Sequence, residues 1–196
     1  MAKVVGDISI SLDGYVTGPH AGLGNGLGDG GEGLHTWAFS NDAVDQAVLR
    51  ESTAATGVVI MGRKLFDIID GPGGWSDEVG YGASEAGLQP VLVVTRTPPE
   101  KMRLSSDRFT FVVDGIGSAV SKATAMADDR DVVVMGGGET VRGALDLGLL
   151  DELTLHLAPV VLGAGTPLFA GGPPRQLRPI RVRPSAHATH LTYRVD

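Results

Sequence analysis

Apolar and polar positions follow two regimes along the chain. Between residue 57 and about 150, short apolar runs alternate with segments of helical spacing: GVVIM (57–61), VLVVTR (91–96), FTFVVD (109–114) and DVVVM ahead of a triple glycine at 136–138. Val-rich runs without alternation describe strands buried on both faces, so they predict a mostly parallel sheet with helices on each side. The intervening helices are expected in GRKLFDIID, in SAVSKATAMA (118–127), where Ala119, Ala123 and Met126 share a side, and in ETVRGALDLGLL. After Leu150 the period becomes two. ELTLHLAPVVL (152–162) alternates Leu153, Leu155 and Leu157 with other residues, and the segments around 180–185 and 189–195 read as paired antiparallel strands. His156 falls on the face opposite these leucines and is expected to be exposed.

Ahead of residue 57 lies a strand candidate at 3–11, and a helix from Ser40 to about Thr56, with Ser40 as its cap, Asp42 in its first turn and Val44, Ala47 and Val48 on one face. Between them, residues 13–35 are glycine-rich and too poor in apolar side chains to pack themselves, which predicts a long mobile loop or lid. No linker divides the chain, and 171–174 reads as a turn. The expectation is one domain over 1–196: a three-layer α/β fold whose mixed, mostly parallel sheet is flanked by helices and ends in antiparallel strands.

Composition narrows the chemistry. With no Cys among 196 residues, a disulfide framework and a Cys-based zinc site are excluded. Sixteen Lys and Arg against 23 Asp and Glu give a net charge of −7, too acidic for a protein whose main task is gripping nucleic acid. The charge is uneven: residues 151–196 hold five Arg against three acids (+2), leaving 11 basic and 20 acidic residues (−9) before them. The five His lack metal-ligand spacing, so no metal is expected. No apolar run reaches the roughly 18 to 20 residues of a membrane span, and no signal peptide opens the chain, so a cytoplasmic protein without a membrane partner is expected.

Chemistry concentrates where strands end. In DVVVMGGGETVRGAL, Gly136, Gly137 and Gly138 open a helix whose unpaired N–H groups and positive dipole end suit a phosphate, with Glu139, Thr140 and Val141 completing the turn. The alternative is a tight strand-to-helix turn with no ligand. VVIMGRKLF repeats the pattern with Gly62, then places Arg63 and Lys64 in a first turn whose dipole disfavours cations unless an anion is near. Thr95 and Arg96 end a third strand, where Arg can grip a phosphate or simply lie on a surface loop. Three such junctions on neighbouring parallel strands would make one anion-binding crevice. That demand suits a phosphorylated dinucleotide such as NADPH. Asp13, in SISLDGYVTG, either forms an Asp-Gly turn or serves as a catalytic carboxylate that orients substrate or relays protons. Trp75, after GPGG, either lines a pocket or anchors its loop. Gly26, Gly28 and Gly31 spell G-x-G-x-x-G with no strand before them, an accidental match.

These motifs, SLDGYVTG, VIMGRKLFD, VLVVTR and VVVMGGGETVRGALDLGLLDELTLHLAPVVLGAGTPLF, resemble the dihydrofolate reductase-like superfamily. Within it, the chain is similar to the reductase (RibD C-terminal) domain of the riboflavin-biosynthesis deaminase-reductase and its stand-alone relatives. The resemblance implies NADPH across the sheet's carboxyl edge, hydride transfer to a small heterocyclic or ribosylamino-pyrimidine-like substrate, and a homodimer. It assigns cofactor contacts to Gly62, Arg63, Lys64, Thr95, Arg96, Gly136 to Val141 and Gly163. It places Asp13 near the nicotinamide, and Tyr15, Thr166 and Leu168 beside the substrate, with Trp75 a further candidate. Two features depart from the family pattern: the deaminase half is missing and the 18–34 loop is longer. The first helix shows no Trp-x-x-Asp/Glu motif of the kind that binds pterins in true dihydrofolate reductases. A nucleotide-binding module without hydride chemistry, or a dihydrofolate reductase-type enzyme, is the alternative.

Overall fold

A computed structural model describes residues 2–78, 80–81 and 87–196. Strands β1 (Val4–Ile10), β3 (Thr56–Gly62), β4 (Val91–Val94), β5 (Phe109–Val112), β6 (Asp131–Val134), β7 (Glu152–Leu157), β9 (Leu177–Pro184) and β10 (Thr189–Val195) form one sheet. Its order is β5-β4-β3-β6-β1-β7-β10-β9, and every pairing from β5 to β7 is parallel, while β10 runs antiparallel to both β7 and β9. The expected mixed α/β sheet is therefore present, with the break in direction where the apolar period changes.

Parity along the strands explains the continuous apolar runs. Val58, Ile60, Leu92, Val132 and Val134 meet Ala119 and Ala123 of α3 (Gly115–Met126) and Val141 and Ala144 of α4 (Gly138–Asp146). Val59, Met61, Val91 and Val93 point the other way, onto Phe66 and Ile69 of α2 (Arg63–Ile69). Helix α1 (Ala43–Ala55) lies on this second face, where its Asp45 and Ser52 reach His190 and Asp7. Met126, expected on the packed side of α3, is 45% exposed because that helix ends there.

Four expectations change. The cap of α1 is Asp42, whose carboxylate accepts from the amides of Val44 and Asp45, while the Ser40 hydroxyl donates to the Asp45 carboxylate. The 152–162 strand stops at Leu157, because the following backbone turns to bond Ile10 and Leu12 of the first strand's end. The 13–35 segment is not a featureless loop. It holds β2 (Tyr15–Thr17), paired with β8 (Thr166–Pro167), and the start of a 3-10 helical segment, Gly31–Phe39, whose Leu34 and Trp37 are buried. Between them, Gly18 donates to Leu27, Asp29 to Pro19, and the Asp29 carboxylate is held by His20 and Asn25. Finally, His156 is buried, for reasons given below. Among the described residues, no helix is long and apolar enough to cross a membrane.

Candidate functional site

Because β4, β3, β6 and β1 are parallel neighbours, their carboxyl ends share one edge, and the strand-to-helix junctions singled out in the sequence meet there. The β3–α2 and β6–α4 junctions abut: a Cβ at Gly62 would run into the Thr140 hydroxyl. Lys64 Nζ lies 3.7 Å from the Glu139 carboxylate, joining the first turns of α2 and α4. Arg63 ties in the third junction, with Nε donating to Asp67 at 2.7 Å and Nη1 to the Thr97 carbonyl at 2.5 Å. The Thr95 hydroxyl caps the same turn, donating to the Thr97 carbonyl and accepting from the Thr97 amide. Arg96 is exposed beside it.

At α4 the residue before the helix is Gly137, no side chain caps the first turn, and the Thr140 and Val141 amides turn back onto the Gly137 carbonyl. Each of the three glycines has a reason of its own. Gly136 and Gly137 have φ of 125° and 28°, where L side chains are strained, and a Cβ at Gly138 would stand 2.6 Å from Val16 Cγ2. The glycines are thus explained by the turn and by packing. What recommends the spot for an anion is the uncapped helix start among cations. Val141 is fully buried, so it offers only backbone, and Glu139 is exposed.

The ribbon β2–β8 closes over this helix start, with Val16 and Thr166 both facing Gly138 and the Thr17 hydroxyl donating to that of Thr166 at 3.0 Å. Asp13 stands at its base. One carboxylate oxygen accepts from the Ser11 hydroxyl at 2.6 Å and the Leu162 amide at 3.1 Å, the other from the Gly163 amide at 2.6 Å. These bonds, the Ser11 hydroxyl foremost, hold its pKa down at about 2. Asp13 is therefore a fixed acceptor that pins the 162–163 backbone. Gly163 serves this clamp in a left-handed conformation, φ 73°. Tyr15 is half-buried; its carbonyl accepts from the Ser11 amide and its own amide donates to the Ser11 hydroxyl.

Of the substrate candidates, Leu168 is corrected and Trp75 takes the structural one of its two expected roles. Leu168 is 1% exposed and belongs to the core between sheet and helices, so it cannot touch a ligand. Trp75 anchors its loop: its amide donates to the Ile69 carbonyl, its carbonyl accepts from Arg103, and the Arg108 guanidinium lies 5.6 Å over its ring.

A second polar cluster escaped the sequence reading. On the α1 face of the sheet, His156 bonds Asp7 through Nε2 and His190 through Nδ1, and His190 Nε2 reaches Asp45. Trp37 covers His156 at 4.0 Å between ring centroids and donates Nε1–H to the Ser9 hydroxyl. The alternation at 152–157 placed His156 correctly opposite the leucines, but a helix, a tryptophan and a cross-strand histidine cover that face. No short-range spacing relates residues 7, 45, 156 and 190; strand pairing of β7 with β1 and β10 brings them together. Among the described residues no group of His, Asp and Glu is arranged to hold a metal ion.

Comparison with known proteins fits this architecture. Over its full length the chain superposes with TM-score 0.70 on 99% of a putative riboflavin biosynthesis protein from Shewanella sp. PV-4, at 22% identity. It likewise covers 57% of a diaminohydroxyphosphoribosylaminopyrimidine deaminase/5-amino-6-(5-phosphoribosylamino)uracil reductase from Thermotoga maritima, with TM-score 0.61 and 15% identity. With 99% of its length it matches 96% of a dihydrofolate reductase from Enterococcus faecalis complexed with NADP(H), at TM-score 0.60 and 12% identity. These likenesses establish a dihydrofolate reductase-like fold. The family model of the RibD C-terminal domain matches residues 2–191, and the chain belongs to that family.

Proposed function

We propose that the protein is an NADPH-dependent reductase that transfers hydride to a small heterocyclic or ribosylamino-pyrimidine-like substrate. One observation carries the reading: the uncapped start of α4 is joined through Gly62–Thr140 and Lys64–Glu139 to a helix turn bearing Arg63, which is bonded in turn to the Thr95–Thr97 turn beside Arg96. A dinucleotide needs such contiguity, because its pyrophosphate and its ribose phosphate must be met by one surface.

In this reading the amides of Gly138 and Glu139, with Thr140, would hold the pyrophosphate. Arg63, Thr95 and Arg96 would hold the 2′-phosphate. When bound, the cofactor supplies the hydride. The chain's own contribution is placement: Asp13 pins the 162–163 backbone, and the β2–β8 ribbon, with Tyr15 and Thr166, covers the site and limits water. The substrate class rests on family membership and on the Thermotoga maritima enzyme's name.

Calorimetric titration tests the first step, with NADPH binding expected and its absence at millimolar cofactor overturning the proposal. Arg63→Ala and Arg96→Ala should each weaken NADPH by about ten- to a hundredfold, the effect of one charge-assisted contact, and NADH much less. Equal losses for both cofactors would remove the 2′-phosphate role. Oxidation of bound NADPH with a panel of pyrimidines and pterins separates a reductase from a binding module, which binds tightly without turnover.

A further inference from the structure

Away from the carboxyl edge, the Asp7–His156–His190–Asp45 chain poses a counting problem. It has three contacts: 2.8 Å from Asp7 Oδ1 to His156 Nε2, 2.7 Å between the two Nδ1 atoms, and 2.8 Å from His190 Nε2 to Asp45 Oδ1. Each contact needs one proton between its two atoms, so the chain requires three. Two ionised carboxylates supply none and two neutral imidazoles supply one each. A third proton must be bound. With none added, one contact lacks its proton, so either two bare Nδ1 lone pairs face each other at 2.7 Å or a bare Nε2 faces a carboxylate at 2.8 Å; with two added, two N–H groups would collide between the rings. Only the singly protonated pair satisfies every contact, and the four side chains are 0–13% exposed.

We propose that His156 and His190 form a buried binding site for one shared proton, held between Asp7 and Asp45, and that this proton fastens α1 to the sheet. Asp45 belongs to α1, and its other oxygen accepts from Ser40, while Asp7 belongs to β1, and its other oxygen accepts from Ser52 of α1. Both ends of the chain therefore grip the helix, and the link between them is the N–H–N bond.

Surrounding charges fit one added proton and no more. Asp7 and Asp45 face the pair as anions, His35 approaches from the 3-10 segment, Arg183 from β9, and Tyr81 closes the Asp7 end through Ser52. Glu51, which could otherwise neutralise a second imidazolium, is taken by Arg181 and Arg183, and Glu152 by Lys3. Burial, with the charges of His156 and Arg183, lowers the His190 pKa against the raising effect of its hydrogen bond to Asp45.

Linkage sets the outcome. Unfolded histidines titrate near about 6.5. Above that pH the unfolded chain has lost these protons while the folded one keeps its shared proton, so the folding equilibrium constant falls about tenfold per pH unit until the site lets go. Below it the unfolded chain takes two protons where the fold takes one, and stability falls again.

Asp45→Asn is the discriminating variant. An amide donates its own N–H to His190 Nε2, so all three contacts are met with both imidazoles neutral and no added proton. Urea unfolding of the full-length protein between pH 7.5 and 9 should then show the tenfold-per-unit decline in wild type and not in Asp45→Asn, the other histidines being common to both. Asp7→Asn should behave alike. A flat wild-type profile, or the same slope in the variants, overturns the proposal. If the variants do not fold, nitrogen NMR of the wild-type imidazoles decides: three protons over the four ring nitrogens of His156 and His190 at pH 7.5 are expected, and two refute the site.

Discussion

Gly138→Ala tests whether the glycine that opens α4 is there for packing or for a ligand. The added Cβ would lie 2.6 Å from Val16 Cγ2 and 3.6 Å from Thr166 Cγ2. Carbon atoms in contact sit about 3.5–4 Å apart, so roughly 1 Å of movement is needed. Val16 is 6% exposed and held in β2, whose pairing with β8 fixes its backbone, so it cannot swing aside freely. Overpacking of this kind costs about 1–3 kcal/mol, offset by less than about 1 kcal/mol of gained helix propensity. Val16→Ala alone removes two buried methyl groups, for about 2 kcal/mol once the cavity is counted. Combined, the new methyl occupies the vacated space, and the double variant should be about 1–2 kcal/mol more stable than the sum of the single changes implies.

Urea unfolding of the four proteins measures this coupling. Additivity to within about 0.3 kcal/mol would refute the contact on which the prediction rests. NADPH titration of the same proteins adds the functional half. If Gly138→Ala weakens binding by displacing the helix start, Val16→Ala should restore it; failure to restore would mean that the glycine clears space for the ligand directly.

Leu168→Ala should cost about 2–5 kcal/mol of stability by opening a core cavity while leaving the NADPH affinity of the folded protein unchanged, which thermal unfolding and calorimetric titration together check. Asp13 has a folded pKa of about 2, below its unfolded value, so its contribution to stability is complete above about pH 4 and fades as pH falls from about 4 to 2. Asp13→Asn should therefore differ from wild type in Gly163 amide exchange at pH 6 and converge with it near pH 2; a limb in the neutral pH–rate profile that vanishes in this variant would instead make Asp13 a proton donor.

How far the chain could be read follows from how local each signal was. Buried parallel strands announce themselves because both parities are apolar, as Val58 to Met61 and Val132 to Val134 show, and the crevice was legible because its parts follow those strands directly. The 13–39 region was not, since its order comes in part from side chains, Val16 and Trp37, seated on distant elements. The proton site was illegible for a related reason. His156 could be assigned a face but not that face's cover, and its partners Asp7 and His190 stand 149 and 34 positions away, with Asp45 145 positions from His190, separations no periodicity spans.

The cations at the start of α2 give the most instructive comparison. Their charge opposes the helix dipole, which suggested an anionic ligand, yet the fold already provides acids: Asp67 for Arg63 and Glu139 for Lys64. The two pairs differ in what a ligand must displace. Lys64 and Glu139 are 87% and 65% exposed at 3.7 Å, a surface pair worth under about 1 kcal/mol and readily exchanged for a phosphate. Arg63, at 34% exposure, is also bonded to the Thr97 carbonyl, so it is already committed to the wall of the crevice. A dinucleotide would thus find Arg63 in place and recruit Lys64 on arrival. Replacing Glu139 with Gln should then strengthen NADPH binding several-fold by freeing Lys64, whereas replacing Asp67 with Asn should weaken it by loosening the arginine that the pocket needs fixed.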